Sequence, residues 1–427
     1  MKNQNEYERR CKAIQLHKEG YGFNKILQLV QRSKRWLSKW LKRFKEHGLK
    51  GLQDKSRAPR RIWRKTPEHM VKKILSLRAE LESHKSRRST FSGIGAEVIH
   101  WELKQRNICK IPAISTIANI LSRHGKTGRV KIKRNHNNQP YPSIKAERMG
   151  DIHQTDIVGP RHLRGPKGVT RFYSFHTLDV AGHTAFTSQF PDKQTISLCR
   201  HLVEAWRSTG VPKISQVDNE MAATGGGRYP YSLSQVIRLH LLLGIHLVFI
   251  PQGEPGRNAS VESFNGLWQE RVLRRHNCPT LTSLRRTSES FLRYYHYKKP
   301  HRGLTQKEHG TRFPGILRDH LWKSLRHLPK GFTLKRYIDS NGHLNIPIAK
   351  GEVSFIRKID SHGKIEVNGF PYFIRRKLEG QYVMASIFTH RKRLVVKQEN
   401  KIIKSFPFPI KGHIVSPLLP ITKKKTS

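Results

Sequence analysis

Apolar positions recur at intervals of three and four along the first fifty residues. Ala13, Ile14 and Leu16 line one side of a stretch from 6 to 19 that Gly20-Tyr21-Gly22 ends, and Ile26, Leu27 and Leu29 do the same from Phe23 to Val30. A third stripe, Trp36, Leu37, Trp40, Leu41 and Phe44, runs between Lys34 and His47. Ser33 is placed to cap its start and Gly48 to close its end. Three helices with a tight second turn predict a helix-turn-helix. Its last helix offers Lys34, Arg35, Ser38, Lys39, Lys42 and Arg43 away from the apolar stripe, toward base edges or phosphates of a major groove. A second three-helix pattern comes next. Thr66 and Pro67 start a helix through Val71, Ile74, Leu75 and Leu77 to about Ser83, Gly93 to Ile99 begins another, and Ala113 to Leu121 makes a third that ends near Gly125. A basic linker from Gly48 to Arg64, including Lys55 to Arg61, suits either an extended arm laid along a groove or a disordered tether, and Lys126 to Asn138 reads as a second basic linker.

From 145 to 320 the period changes. Strand-like runs at His153–Val158, Arg171–Val180, His183–Phe190, Lys213–Val217 and His246–Ile250 are interleaved with helical runs at Thr195–Ser208 and Ser232–Leu243, and with a helix that Asn258 opens as its cap. The order β-β-β-α-β-α-β-α predicts a mixed sheet with helices packed on it. Beyond a helical stretch ending near Leu325, short alternating runs return: 351–359, 364–367, 370–375, 381–388 and 391–397. Asn368-Gly369 is placed between two of them as a hairpin turn. Five or more short strands predict a small β-barrel.

Lys and Arg number 82 against 30 Asp and Glu, a formal charge of +52 spread along the whole chain. So many like charges repel in a compact state, and a polyanion relieves the repulsion, which points to nucleic acid. A ribosomal-type basic protein is the plainer reading of the same charge. A membrane surface is the competing partner, but no lipidation signal is present, and the longest apolar stretch, Leu239 to Ile250, is too short to span a bilayer. The polar start carries no signal peptide, so a cytoplasmic, nucleoid-associated protein is expected. Four cysteines without a Cys-x-x-Cys pair exclude a disulfide framework and cysteine zinc fingers.

In a chain this poor in acids, three carboxylates stand out. Asp156 interrupts the first strand run, Asp218 ends the run Ile214–Val217, and Glu262 falls in the first turn of the helix after Asn258. Each has an ordinary explanation: a strand-end acid bonding backbone amides, a turn residue, an acid favoured by the helix dipole. Together, three convergent carboxylates suit hard divalent cations. Two Mg²⁺ ions about 4 Å apart can activate the attacking oxygen and neutralise the leaving oxygen of a phosphodiester.

Gln154-Thr155-Asp156, Val217-Asp218-Asn219 and Gly256-x-Asn258-x-x-Val261-Glu262-Ser263-Phe264-Asn265 resemble the three signatures of the integrase catalytic core found in bacterial insertion-sequence DDE transposases, in the retroviral-integrase-like superfamily. Tyr294 to Leu304 resembles the Tyr-x-x-x-x-Pro-His-x-x-Leu segment that comes after that core, and Ile26 to Arg60 resembles the leading helix-turn-helix. The resemblance spans most of residues 1–320. It implies a multidomain α+β protein: a helix-turn-helix over 1–60, a second helical DNA-binding module with a basic linker over 61–140, an RNase H-like core over 141–325, and a small β-barrel with a basic tail over 326–427. It further implies Asp156, Asp218 and Glu262 as catalytic and metal-binding residues, two Mg²⁺ ions with Mn²⁺ as a substitute, double-stranded DNA (element ends and target) as substrate, and a homo-oligomer on DNA. The implied reaction is hydrolysis at an element end followed by joining of the 3′-OH to target DNA. A non-catalytic regulator derived from a transposase is the main alternative, and a nuclease without strand transfer is another.

Two features depart from the family pattern. Asp218 and Glu262 lie 44 positions apart, more than is usual, and a Gly-rich insertion from Thr224 to Tyr231 accounts for the excess. Glu254 is nearer the usual distance but sits in a Pro/Gly loop, so Glu262 is preferred. Glu220 stands where the family usually has Gly and is read as exposed; Asp151, Asp179 and His301 are read as structural.

Overall fold

The computed structural model describes residues 2–55, 65–86, 88–128, 140–142, 144–166, 168–219, 231–251 and 253–422, and the chain divides into two compact units, Met1–Pro67 and Glu68–Ser427. The basic segments 56–61 and 129–138, Glu220, the insertion at 224–230 and the lysines at 423–425 lie outside the described residues.

The first unit is built from α1 (Lys2–Lys18), α2 (Phe23–Val30) and α3 (Lys34–His47). The Ser33 hydroxyl accepts the Trp36 N–H at 3.3 Å, so the expected cap forms. Gly48 takes φ 59 while its N–H closes on the Phe44 carbonyl, a conformation that a side chain would strain. Ala13, Ile26, Val30 and Leu37 form one small core; Ile14, Trp40 and Leu52 form another. Arg10 belongs to this interior: its guanidinium lies 3.9 Å over the Trp40 ring, donates to the Leu52 carbonyl at 2.9 Å and pairs with Asp54 at 2.9 Å.

The second unit opens with α4 (Glu68–Ser83), α5 (Ala96–Gln105) and α6 (Ile114–Arg123), closed around Ile74, Leu77, Leu81, Ile99, Leu103 and Ile117. These helices are pinned to the rest of the unit. Phe91 packs edge-on against Phe291 at 5.8 Å, Arg275 donates to the Ser92 carbonyl at 2.9 Å, and Glu97 binds both Arg302 and Arg312.

One nine-stranded sheet forms the body of this unit. Its strands are β1 (Ile152–Gly165), β2 (Gly168–Asp179), β3 (Ala185–Phe190), β4 (Ile214–Val217), β5 (His246–Phe249), β6 (Glu352–Lys358), β7 (Tyr382–Phe388), β8 (Arg393–Gln398) and β9 (Lys401–Pro407), in the order β9-β8-β7-β6-β5-β4-β1-β2-β3. Helices α7 (Thr195–Thr209) and α8 (Gln235–Leu242) cover one face, with Leu202, Trp206, Val236 and Ile237 in a core that also takes Phe249, Phe355 and Ile387. Helices α9 (Ala259–Trp268) and α10 (Leu281–Tyr297) cover the other face around Phe172, Leu178, Phe264, Trp268 and Phe291. The mixed α/β core expected from the sequence is therefore present, with helices on both faces.

The C-terminal strands form no closed sheet among the described residues, so the expected small β-barrel is corrected. Strand β6 instead lies parallel against β5, with Leu247 beside Val353 and Phe249 beside Phe355, and β7 to β9 continue the same sheet. The physical reason is in β6 itself. Val353, Ser354, Phe355, Ile356 and Arg357 are all buried, which requires cover on both sides and a neighbour along each edge. The Phe249 and Phe355 rings stack at 4.8 Å across the junction. The predicted hairpin is present beside the sheet, pairing Lys364–Val367 with Phe370–Phe373. Asn368 (φ 53) and Gly369 (φ 82) carry the two left-handed positions of its turn. Among the described residues no helix is long and apolar enough to cross a membrane.

Candidate active site

Strands β1 and β4 run parallel with Thr155 beside Val217, so the next residues, Asp156 and Asp218, stand side by side at the carboxyl end of β4. In-register neighbours of a parallel pair present their side chains to the same face, and here it is the face that α9 covers. Val261, Phe264 and Trp268 of α9 are buried with Phe172 and Leu178 of β2, which sets Glu262, in the first turn of that helix, above the two strand acids. His176, the β2 partner of Asp156, lies on the other side of β1 from Asp218 and packs under α9. It is wholly buried, burial pushes its pKa down to about 3, its Nε2 meets the Ser174 hydroxyl at 2.7 Å, and its ring abuts Phe264 and Trp268.

Electrostatics tie the three acids together. Burial raises the pKa of Asp156 above the usual carboxylate value, and the negative charges of Asp218 and Glu262 raise it further. The Ile157 N–H and the Asn265 amide, which donates to Asp156 Oδ2 at 2.6 Å, oppose that rise. Carboxylates whose charges bear on Asp156 in this way are the donor chemistry of a hard divalent cation, whose charge would offset the repulsion at Asp156, so in donor type the residues present fit such an ion. Among the described residues, however, no three His, Cys, Asp or Glu side chains stand close enough to form a ready-made metal group. The acids are partly engaged instead: Asn265 holds Asp156, and Asp218 accepts the N–H of Asn219.

The structure places other sequence candidates elsewhere. The Glu254 carboxylate is taken up by Arg257 at 3.0 Å and by the Tyr382 hydroxyl. Asp179 is buried and accepts the N–H groups of Gly150 and Gly182, with His153 Nε2 at 3.3 Å. Asp151 binds Lys213 at 2.8 Å, and His301 stacks on His183 with its Nε2 at the Tyr295 carbonyl. In α3, Lys34, Arg35, Ser38, Lys39 and Lys42 are exposed, whereas Arg43 donates to the Gln53 carbonyl at 2.9 Å and lies over Trp40. Asn258 stands at the N-cap of α9 but forms no side-chain cap bond; Gln216 takes its Oδ1 at 2.9 Å.

Arg357 was not legible as a site residue. It arrives from β6, is 9% exposed, and donates to Asn219 Oδ1 at 2.7 Å and to the Ile250 carbonyl at 3.2 Å; Asn219 Nδ2 bonds that same carbonyl at 2.6 Å. Burial lowers its pKa to about 10, opposed by the charges of Glu366 and Asp218. The C-terminal strands thus supply a buried cation to the loop that carries Asp218. Arg357→Met should cost roughly 1–3 kcal/mol, because Asn219 Oδ1 becomes a buried acceptor without its donor; chemical denaturation measures it, and an unchanged midpoint would deny Arg357 this role.

Residues 10–71 match the winged helix-turn helix family, and residues 243–308 match the integrase core domain family. The second match contains Glu262 and stops short of Asp156 and Asp218. Among solved structures, the chain is similar to a simian T-cell lymphotropic virus intasome in complex with the PP2A regulatory subunit B56 gamma. That pair shares 14% identity over 73% of this chain and 97% of that one, with TM-score 0.32. It is also similar to the HTLV-2 integrase catalytic core domain in complex with magnesium (18% identity, 37% of this chain, 94% of that one, TM-score 0.28) and to the catalytic core domain of BIV integrase (13%, 41%, 97%, 0.28). No curated protein matches the chain.

Proposed function

From a chain that is transposase- or integrase-like in its helix-turn-helix and core segments, we propose a DDE transposase that binds the ends of its own element, cleaves a strand there and joins the new 3′-OH to target DNA. The observation that carries this reading is the β1–β4 register, which sets Asp156 beside Asp218 under the helix bearing Glu262. Asp156, Asp218 and Glu262 would hold two Mg²⁺ ions, or Mn²⁺ in their place; when bound, such ions activate the attacking oxygen and stabilise the leaving one. The chain's own residues do the rest. Asn265 keeps one oxygen of Asp156 turned toward α9, and Arg357 with Asn219 steadies the backbone at Asp218. The exposed Lys34, Arg35, Ser38, Lys39 and Lys42 meet the phosphates and base edges of an element end. In this reading residues 1–60 are the primary reader, 61–140 a second DNA contact, and 141–325 the chemical centre. Two ends must be paired, so the active form is a homo-oligomer on DNA, in the cytoplasm of a bacterium.

The deciding experiment incubates the full chain with Mg²⁺, a linear duplex carrying the DNA that flanks its gene, and a supercoiled target. Joined products support the reading, nicks without joining identify a nuclease, and binding without nicking identifies a regulator. The regulator is favoured by one observation, the lack of a ready-made three-carboxylate group among the described residues.

Replacing Arg35 and Lys39 with Gln should weaken end binding and flatten its salt dependence. Each lost phosphate contact removes about 0.9 from the slope of log K against log salt. Titrations at several salt concentrations check this, and an unaltered slope removes α3 from the interface.

A further inference from the structure

We infer that Gln154 and Gln216 are a matched pair of positioning residues that set where Glu262 stands relative to Asp156 and Asp218; the inference rests on the metal-dependent reading above. The two glutamines are registered partners on β1 and β4, and each lies two positions before a strand acid. Strand alternation therefore aims all four side chains at the face under α9.

Both amides are spent on the start of that helix. Gln154 Oε1 accepts the Val261 N–H at 3.3 Å, one of the first-turn donors that a helix cannot satisfy within itself. Gln216 Nε2 donates to the Arg257 carbonyl at 2.8 Å and to Asn258 Oδ1 at 2.9 Å. The backbone just before Glu262 is thus tied to both strands that carry the other acids. One turn later Asn265 adds a third tie, to Asp156 itself. The helix makes no cap bond of its own, since the Asn258 oxygen is given to the sheet. A self-capped helix would be held over the sheet by side-chain packing alone. This one is keyed to β1 and β4 by directional bonds, and Gln154 is only 7% exposed, so water cannot readily replace its partner.

The two glutamines act in opposite senses, Gln154 as acceptor and Gln216 as donor, and the test uses that asymmetry. Gln154→Glu keeps an acceptor for Val261, whereas Gln216→Glu loses both donors and faces two oxygens. Each adds one negative charge at neighbouring positions of the sheet, so simple attraction for a cation is alike in the two. Mn²⁺ alone, without DNA, is titrated into the full-length chain and followed by electron paramagnetic resonance, with a thermal transition recorded for each variant. Gln216→Glu should bind Mn²⁺ about 10-fold or more weakly than Gln154→Glu, the range seen when groups that orient metal ligands are removed. Gln216→Met, at a half-buried position, should show the same loss against the unaltered chain and stands in if Gln154→Glu does not fold. Equal affinities in the two glutamate variants, or an unaltered affinity in Gln216→Met, overturn the clamp and leave the metal site standing. Failure of the unaltered chain to bind Mn²⁺ overturns the metal-dependent reading and the clamp with it.

Discussion

Asp156→Asn should lower strand cleavage and joining by at least about 10³-fold, roughly 4 kcal/mol of barrier, while leaving end binding nearly unchanged. The proposed reader, α3, belongs to the other compact unit. The fold should not suffer. Asp156 has its pKa raised in the folded chain by burial and by the charges of Asp218 and Glu262. The folded state therefore holds the Asp156 proton more tightly than the unfolded state does. Its contribution to stability is fully present below the unfolded pKa and is lost as pH rises through the folded one. At neutral pH without divalent ions the ionised Asp156 weakens the fold, and a neutral asparagine, still able to accept from Asn265, relieves it. The expected result is an inactive protein whose thermal midpoint at pH 7 is equal to or above that of the unaltered chain. A stability loss of several kcal/mol would make Asp156 a structural residue, and unimpaired cleavage would remove it from the site altogether.

A chain ended at Leu325 should fail to fold as a soluble core. On sequence alone, 141–325 has the length and alternation of a self-contained domain. In the sheet, however, β5 would then present a bare edge to solvent, because β6 is its partner. The α7/α8 core would lose Val353, Phe355, Val383, Ala385, Ile387, Leu394 and Val396, all buried. Removing a single large buried side chain costs about 2–5 kcal/mol, against a total stability of about 5–15 kcal/mol for an ordinary domain. The deficit far exceeds what the sheet can absorb. Soluble yield and a thermal transition of fragment 1–325 against the full chain decide the point; a soluble fragment with a sharp transition would show that the C-terminal strands merely dock.

Much of this molecule is legible residue by residue. The helices at Phe23–Val30 and Lys34–His47 have the bounds their apolar stripes predict, and Ser33 and Gly48 end the second of them as expected. The Asn368-Gly369 turn forms because only residues tolerant of positive φ can occupy both places. The strand runs around Asp156 and Asp218 are also readable, since alternation and length mark a strand without reference to its partners. Asn258 reads as a cap and takes the N-cap position, but its side chain makes no cap bond. An asparagine oxygen at that position caps the helix unless another side chain claims it, and Gln216 does so from a distant strand. Gln154 and Gln216 carry a signal of their own: two amides, each two residues before an acid, must share its face once both runs are strands.

What the sequence by itself determined are the properties set within a few residues: the helical and strand periods, the caps and turns, the excess of positive charge, and the acid-bearing segments. Only the tertiary structure decided which strands pair. β6 joins β5 where a closed barrel was expected, Arg357 reaches Asn219, and α9 is tied across β1 and β4. The physical reason is that a strand's alternation states which face is apolar but not whose hydrogen bonds its edge completes. That choice is made when distant segments compete to bury both faces at once.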